Sequence, residues 1–343
     1  MEKEKLFGKT LMELQGICSG LGLPSYTARQ VSEWMYRKDI LEIDEMSNLS
    51  IKNRNILKDN FTLGITPFSK VQESLDGTKK YLFPTRNNKF IEAAYIPETN
   101  RATLCVSSQI GCKMGCVFCM TGRQGFQGNL TAGEILNQVK ALPEKDKLTN
   151  IVYMGMGEPL DNTEEVLKSL EIFTSEWGFG LGPKRITVST IGIIPSLETF
   201  LNTTDCHLAI SLHTPFDDER KKLMPMQNIY PIENVINLVK KFDWSKQRRV
   251  SIEYIMFKGI NDSSRHVNQL SSLLNGLKCR INLIRFHPIP ESHFESTDLD
   301  DILIFRDKLN AKGITATLRR SRGEDIYAAC GLLSTKELMT KDK

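Results

Sequence analysis

Three cysteines in a short glycine-containing loop have the residue type and spacing of a metal-binding group. Cys112, Cys116 and Cys119 form a Cys-x3-Cys-x2-Cys run within GCKMGCVFCMTG. Thiolates are ligands for iron–sulfur clusters and for zinc. A structural zinc takes four protein ligands; no nearby histidine completes such a set, although Cys105 lies seven residues upstream. Three cysteines on one loop suit three irons of a cubane 4Fe-4S cluster, whose fourth iron stays open to a ligand that is not protein.

A second set of polar and glycine residues follows predicted strands. Two glycines in NIVYMGMGEP let the backbone approach a ligand closely, and Glu158 is an acceptor for a cationic group. Ser189 in TVSTIG, and Ser211 and His213 in SLH, end the next two predicted strands. Because chemistry in α/β barrels lies at the carboxyl ends of the strands, we expect these side chains to lie near the cysteines.

The elements that position these residues change character along the chain. Residues 10–62 are predicted to be helical, with capping boxes formed by Thr10 with Glu13 and by Thr27 with Gln30. An Asp-Gly pair in VQESLDGTKKYLF predicts a hairpin, and KFIEAAYI and RATLCVSS read as further strands. A helical N-terminal domain should therefore precede a small antiparallel sheet.

Beyond the cysteine loop, predicted strands and helices alternate. Alternation of this kind indicates parallel βαβ units and an α/β fold class. The predicted strands are NIVYMGMGEP, KRITVSTIG, HLAISLH, RVSIEYIM, RINLIRF and ITATLRR. We expect three regions: a helical accessory domain over residues 1–65, a β-hairpin extension over 66–97, and a core barrel over 98–335 that carries a cysteine segment at its end.

Composition narrows the class of protein. The 343 residues are 40% hydrophobic and 25% charged, which is ordinary for a globular chain and excludes wholesale disorder. No run of about 18 apolar residues predicts a membrane span, so we expect a cytoplasmic protein without a membrane partner. Residues 51–90 carry eight basic and three acidic residues. Such a stretch either contacts a phosphate backbone or is a solvated surface.

The motifs together resemble a known family. The Cys-x3-Cys-x-aromatic-Cys pattern resembles the radical S-adenosylmethionine (SAM) superfamily, in which SAM chelates the open iron. The wider set is similar to the RlmN/Cfr family of radical SAM RNA methyltransferases from about residue 10 to residue 335, in LCVSSQIGCKMGCVFCMTGRQGF, MGMGEPLDN, TVSTIGIIPSL, SLHTP and RSRGEDIYAACG. The resemblance implies a partial (β/α)6 radical SAM barrel with an N-terminal helical accessory domain that binds RNA and a small antiparallel β extension.

The resemblance also implies roles for particular residues. The 4Fe-4S cluster would be bound by the three cysteines of the loop. Contacts to SAM would come from Gly157, Glu158, Ser189, Ser211, Leu212, His213 and His287. His287 stands where the family usually carries an Asn, and a histidine can still donate one hydrogen bond. The catalytic residues would be Cys330 as methyl carrier, Cys105 as its resolving partner, and Glu92 as proton acceptor.

The chemistry of the target explains why such a family uses two SAM molecules per turnover. Adenine C2 and C8 are electrophilic amidine-type carbons, so direct attack on the SAM methyl is unfavourable. The resemblance implies that Cys330 is methylated by one SAM. A radical made from a second SAM then activates that methyl for addition to the ring. The resemblance further implies that Cys105 resolves the protein–RNA link by forming a disulfide with Cys330, and that Glu92 removes the ring proton.

Three functions remain open from the sequence. The first is C2 methylation of adenosine, with family targets at adenosine 2503 of 23S rRNA and adenosine 37 of tRNA. The second is C8 methylation of the same rRNA adenosine, which gives antibiotic resistance. The third is a zinc-stabilised RNA-binding protein without catalysis. For the two enzymes we expect a monomer and an electron donor of the flavodoxin or ferredoxin type.

Overall fold

The computed structural model describes residues 3–244 and 248–335. The first two residues of the predicted 1–65 domain lie outside the described residues. None of the described helices has the length and apolar character needed to cross a bilayer. The helices are Leu11–Gly20 (α1), Thr27–Arg37 (α2), Ile51–Asn60 (α3), Met120–Gln124 (α4), Ala132–Lys140 (α5), Thr163–Thr174 (α6), Ile194–Thr203 (α7), Asp217–Leu223 (α8), Ile232–Lys240 (α9), Ser264–Leu273 (α10) and Leu299–Ala311 (α11).

Most of the strands belong to one large sheet. The strands are Glu4–Lys5 (β1), Phe61–Thr62 (β2), Lys70–Glu73 (β3), Lys79–Thr85 (β4), Lys89–Glu98 (β5), Arg101–Cys105 (β6), Gln109–Ile110 (β7), Gly128–Asn129 (β8), Asn150–Tyr153 (β9), Ile186–Thr190 (β10), His207–Ser211 (β11), Val250–Met256 (β12), Cys279–Arg285 (β13) and Thr315–Arg319 (β14). Ten of them pair in the order β14-β13-β12-β11-β10-β9-β6-β5-β4-β3. The pairs from β6 to β14 are parallel, and helices connect successive strands.

The predicted α/β fold class is confirmed, and the structure adds one parallel strand to the six predicted. That strand is β6, which pairs parallel with β9 on one side and antiparallel with β5 on the other. The antiparallel strands β3, β4 and β5 therefore continue the barrel sheet instead of forming a sheet of their own. The predicted boundary at residue 98 falls at the end of β5, inside this continuous sheet.

The N-terminal helices contain one predicted cap and lack the other. Thr10 and Glu13 form the predicted capping box. The predicted box at Thr27 and Gln30 is wrong. The chain is already helical at Tyr26 (φ −69°, ψ −18°), whereas an N-cap residue needs an extended backbone. Thr27 thus lies inside α2, and its buried hydroxyl has no hydrogen-bond partner among the described residues.

Helix α2 docks the N-terminal region onto the barrel. The Tyr36 ring lies 6.1 Å from Trp177 and 5.7 Å from Phe179, which follow α6. The Ser32 hydroxyl donates to the Trp177 carbonyl at 2.6 Å. Apolar and polar contacts therefore both fix this region against the same loop of the barrel.

The basic 51–90 stretch does not form a continuous cationic surface. Lys80 pairs with Glu92 at 3.1 Å inside the protein, and Lys79 pairs with Glu144 at 2.9 Å. Lys58 pairs with Asp44 at 2.7 Å. The exposed cations of the stretch are Lys52, Lys70 and Arg86. Ion pairing thus removes part of the positive charge that the sequence places there.

Candidate active site

One cavity at the carboxyl ends of the parallel strands collects most of the predicted site residues. The cavity has a volume of about 150 Å³ and is open to solvent on one side. The predicted residues that line it are Cys112, Cys116, Cys119, Gly157, Glu158, Ser189, Ser211, His213 and Cys330. Residues far apart in sequence therefore meet here because parallel strands end at the same edge of the sheet.

The cysteine loop wraps tightly between β7 and α4. Gly111 has φ +71°, and a Cβ there would lie 1.7 Å from the Gly125 carbonyl oxygen, so a larger residue is excluded. Phe118 is buried and its ring lies 5.0 Å from His213. Burial raises the pKa of Cys112 to about 12. The thiolate form therefore needs cations in the cavity, such as the irons of a cluster.

The Met154–Glu158 loop lies against Ser107 and Gln109, which lead into the cysteine loop. Gly157 has φ +97°, and a Cβ there would lie 2.5 Å from Gln109 Cβ. Gln109 Oε1 accepts the N–H of Glu158 at 2.9 Å, and Ser107 Oγ accepts the N–H of Met156 at 2.8 Å. Absence of a side chain at Gly157 thus allows the loop to contact the strand that leads into the cysteines.

We expect replacement of Gly157 by alanine to weaken SAM binding at least tenfold. The added methyl cannot fit beside Gln109 without moving the loop, and the positive φ adds about 1–3 kcal/mol of backbone strain. Equilibrium binding of SAM to the cluster-loaded protein measures the effect. Gly182→Ala is the control, because a Cβ at Gly182 meets nothing within 4 Å. Equal SAM affinity of the two variants would contradict the assignment of this loop.

Glu158 is oriented by backbone amides at the cavity wall. Its Oε1 accepts the N–H of Leu160 at 3.1 Å, and its Oε2 accepts the N–H of Ile191 at 3.0 Å. Burial raises the pKa of Glu158 to about 7 despite these hydrogen bonds. A cationic ligand group, such as an ammonium, would favour the ionised carboxylate.

The ends of β10 and β11 present small polar groups and one neutral histidine. Ser189 and Ser211 line the cavity. His213 has φ +59°, and its Nδ1 accepts the N–H of Ile255 at 3.1 Å. Burial, with the charge of Arg220, lowers the pKa of His213 to about 3. The ring is therefore neutral, and its Nε2–H is left to donate.

Two predicted SAM contacts do not line the cavity. Leu212 is fully buried behind it, and its carbonyl accepts from Arg220 Nε at 3.1 Å. His287 follows β13 and shares a 3.0 Å hydrogen bond with the Ser321 hydroxyl. The His287 ring also lies 3.5 Å from a Glu324 oxygen. His287 therefore contacts the C-terminal segment, and Leu212 faces the protein interior.

The segment that carries Cys330 is anchored at both of its ends. On one side, Asp325 accepts from the Ser74 hydroxyl at 2.5 Å and from the N–H of Leu75 at 3.2 Å in the β3–β4 hairpin. On the other side, the Gly331 carbonyl accepts the N–H of Met120 at 2.8 Å, at the start of α4. Cys330 is thereby held between the hairpin and the helix that follows the cysteine loop.

Two charged residues that sequence analysis did not assign lie beside Cys330. Arg319, at the end of β14, and Glu253, on β12, both line the cavity. Arg319 Nη1 lies 3.8 Å from Glu253 Oε2, and negative charge on Cys330, Glu253 and Cys105 raises the pKa of Arg319. In the sequence, the feature that could have identified Glu253 as a site residue is its position as a carboxylate within the apolar strand RVSIEYIM.

Cys105 and Glu92 lie next to the cavity lining. Cys105 ends β6 and is buried, which raises the pKa of its thiol to about 12, and charge on Cys330 acts in the same direction. Glu92 Oε1 pairs with Lys80 at 3.1 Å, and Oε2 accepts the N–H of Ser334 at 2.9 Å. Glu92 thus does not face water at a strand edge; it contacts the end of the Cys330 segment. All eight cysteines are free thiols in the structure.

Comparison with known proteins identifies the family. The sequence profile of the Radical SAM superfamily matches residues 106–269. The profile of the ribosomal RNA large subunit methyltransferase N-terminal domain matches residues 5–63. A probable dual-specificity RNA methyltransferase RlmN from Parabacteroides distasonis is 55% identical over 340 residues, which cover 99% of each chain. This chain belongs to the RlmN family.

More distant relatives also match over nearly the full length. The dual-specificity RNA methyltransferase RlmN of Syntrophus aciditrophicus is 40% identical over 345 residues, covering 99% of each chain. The crystal structure of a radical SAM methyltransferase from Sphaerobacter thermophilus superposes with a TM-score of 0.90 at 39% identity, covering 96% of this chain and 99% of that one. The RlmN names do not favour the C8 alternative. Membership of the family implies a 4Fe-4S cluster and SAM as cofactors.

The residues of the cavity fit these cofactors. Three thiols of one loop line the same wall, and the Met154–Glu158 loop and the ends of β10 and β11 lie around them. Within residues 3–244 and 248–335, no group of three or more His, Cys, Asp or Glu side chains is placed to hold a single metal ion. A cubane cluster is larger than one ion, and each of the three cysteines would bind one of its four irons.

Proposed function

We propose that this chain methylates C2 of adenosine in RNA, with 23S rRNA and tRNA as substrates, and that Cys330 carries the methyl group. One observation supports the proposal above others: Cys330 lines the same cavity as Cys112, Cys116 and Cys119. When bound, the cluster and SAM supply one-electron chemistry that generates a hydrogen-abstracting radical. A methyl carrier must lie beside the source of that radical.

The neighbours of Cys330 suit a nucleophile that accepts a methyl group. A thiolate attacks in such a displacement, and Arg319 supplies a positive charge in the same cavity. The anchors at Asp325 and Gly331 restrict the position of the thiol. Cys105 lies close enough for its charge to interact with that of Cys330, which supports its assignment as the resolving thiol.

Two carboxylates are candidates for the group that accepts the adenine ring proton. Glu92 is the candidate implied by family resemblance, and it contacts the Cys330 segment through Ser334. Glu253 is a second candidate because it lines the cavity directly. Its Oε2 makes no hydrogen bond within the described residues, and its nearest cation is Arg319 at 3.8 Å. We assign the role to Glu92 and use Glu253 as the comparison.

We expect Glu92→Gln to slow formation of methyladenosine by about 100-fold or more while Cys330 is still methylated, since a general base contributes 10²–10⁴-fold. The amide can still accept the N–H of Ser334, so the segment stays docked. Mass spectrometry measures methylated Cys330 and product nucleoside in single-turnover reactions. Glu253→Gln is the matched variant. Full product formation by Glu92→Gln, together with its loss in Glu253→Gln, would move the role to Glu253.

The N-terminal domain and the cavity both have features that suit an RNA partner. Residues 1–65 would bind RNA, which agrees with the match of residues 5–63 to the methyltransferase N-terminal domain profile. The target base must be splayed out of its stack to reach a cavity at the strand ends. Reduction of the cluster requires a one-electron donor, for which we propose a flavodoxin- or ferredoxin-type protein. We propose that the chain acts as a monomer in the cytoplasm, where its RNA substrates are.

The experiment that tests the function starts from protein reconstituted with iron and sulfide without oxygen. Iron and sulfide content and the visible absorption spectrum report the cluster. Chromatography and mass spectrometry of nucleosides from treated 23S rRNA and tRNA then distinguish 2-methyladenosine from 8-methyladenosine. A Cys116→Ser protein is the control without an intact cluster site. Zinc alone in the wild-type protein, or 8-methyladenosine as the product, would contradict the proposal.

A further inference from the structure

Arg220 of α8 is a fully buried arginine whose hydrogen-bond acceptors carry no charge. The residue is 1% exposed. Its Nη2 donates to the carbonyls of Ser211 at 2.9 Å and Ile191 at 3.1 Å, and its Nε donates to the carbonyl of Leu212 at 3.1 Å. Its Nη1 donates to Oε1 of Gln227. The positive charge is therefore solvated by dipoles and is not neutralised by any of these partners.

The guanidinium lies directly behind the part of the cavity wall that the ends of β10 and β11 form. Ser211 and Ile191, whose carbonyls it binds, line the cavity together with Cys116. The cysteine loop is also joined to the same helix, since the N–H of Val117 donates to the Leu223 carbonyl at 3.1 Å. The charge of Arg220 interacts with the Cys116 thiol. Arg220 is thus the buried cation on the Cys116 side of the site.

Burial of an unpaired charge destabilises a protein unless an opposite charge lies close to it. Three cysteine thiolates would supply negative charge here, and a cluster that accepts one electron becomes more negative by one unit. A nearby fixed cation favours that reduced state, and its effect is strong because burial limits screening by water. The arginine and the cluster would therefore stabilise each other.

We propose that Arg220 is a positioning residue that acts as the countercharge of the cluster and raises its reduction potential. The inference rests on the proposed placement of the cluster on Cys112, Cys116 and Cys119. It assigns two tasks to one side chain. The charge favours electron transfer from the donor to the cluster, and the fork of N–H groups holds the ends of β10 and β11 at the cavity.

A redox titration of the reconstituted full-length protein separates the two tasks. The reduced cluster is followed by electron paramagnetic resonance without SAM, with dithionite supplying the electron. In Arg220→Met we expect reduction to be at least tenfold less favourable, which is about 59 mV more negative for a one-electron couple. Arg220→Lys retains the charge and should stay within about threefold of the wild-type protein. Arg265→Met is the control, since that side chain is 67% exposed.

A second variant tests the charge without removing the arginine. Gln227 accepts from Arg220 Nη1 and donates to Asp217 at 2.7 Å. The double variant Gln227→Glu with Asp217→Asn places a carboxylate against the guanidinium and keeps this hydrogen-bond chain. We expect the same negative shift as in Arg220→Met. The double variant tests the countercharge role even if Arg220→Met does not fold or does not retain four irons.

The outcomes distinguish this inference from the proposed function. A wild-type protein that holds no reducible cluster would contradict the proposed function itself. With the cluster present, a negative shift in the methionine and double variants, but not in the lysine variant, supports the countercharge role. An unchanged potential in the variants that retain the cluster, or equal shifts for lysine and methionine, would overturn it.

Discussion

Replacement of Cys330 by alanine should abolish methylation of RNA, with a loss of at least about 1,000-fold, because the variant has no sulfur to receive the methyl group. Among the described residues, Cys330 is the one thiol outside the cysteine loop that lines the cavity. No other described thiol is therefore placed to replace it. Product nucleosides and the mass of the intact protein measure the two stages separately. Neither methylated protein nor methylated RNA should form.

The same variant should keep its cluster. Cys330 lies on a segment separate from the three cysteines of the loop, and its anchors at Asp325 and Gly331 use groups that alanine does not change. Iron and sulfide content should therefore match the wild-type protein. Cys279→Ala, on β13, is the control thiol and should remain active. Methylated RNA from Cys330→Ala at more than about one per cent of the wild-type rate would remove Cys330 from the mechanism.

The second large effect is expected for Cys105→Ala, which should trap a covalent link between protein and RNA. A link through the Cys330 sulfur needs a second thiol to release it by forming a disulfide. Cys105 is the buried thiol whose charge interacts with that of Cys330. Denaturing electrophoresis with labelled RNA should show the linked species, and released methyladenosine should fall by at least about 100-fold.

The matched control for this variant is Cys206→Ala. Cys206 is also a buried thiol beside the parallel sheet, so its replacement removes a similar volume from the core. That variant should release product and accumulate no link. If Cys105→Ala turned over at the wild-type rate without a trapped species, Cys105 would have no part in the resolution step.

Arg319 lies near both of the cysteines that these two predictions concern. It lies in the cavity with Cys330, and its charge interacts with both thiols. Glu253 Oε2 lies 3.8 Å from the same guanidinium, and Glu253 Oε1 accepts a hydrogen bond from Asn282 Nδ2 at 2.8 Å. The site therefore holds a cation and a carboxylate next to the two cysteines that we propose are deprotonated and oxidised in turn. Neither residue follows from the family motifs that the sequence contains.

The local parts of the site follow from short stretches of sequence. The spacing of Cys112, Cys116 and Cys119 is a property of one loop, and the strand-end positions of Ser189 and His213 follow from the alternation of strands and helices. Parallel βαβ units bring such ends to one edge of a sheet whatever the details of packing. The hairpin at Asp76-Gly77 was similarly predictable from local backbone preference and is present between β3 and β4.

Tertiary structure alone decided which distant groups meet. Glu92 contacts Lys80 across a strand pair, and it contacts Ser334, which lies 242 positions further along the chain. Arg220 binds the ends of two strands that precede its own helix. The register of paired strands and the path of the C-terminal segment fix these contacts, and both depend on interactions between parts of the chain that have no local signal in the sequence.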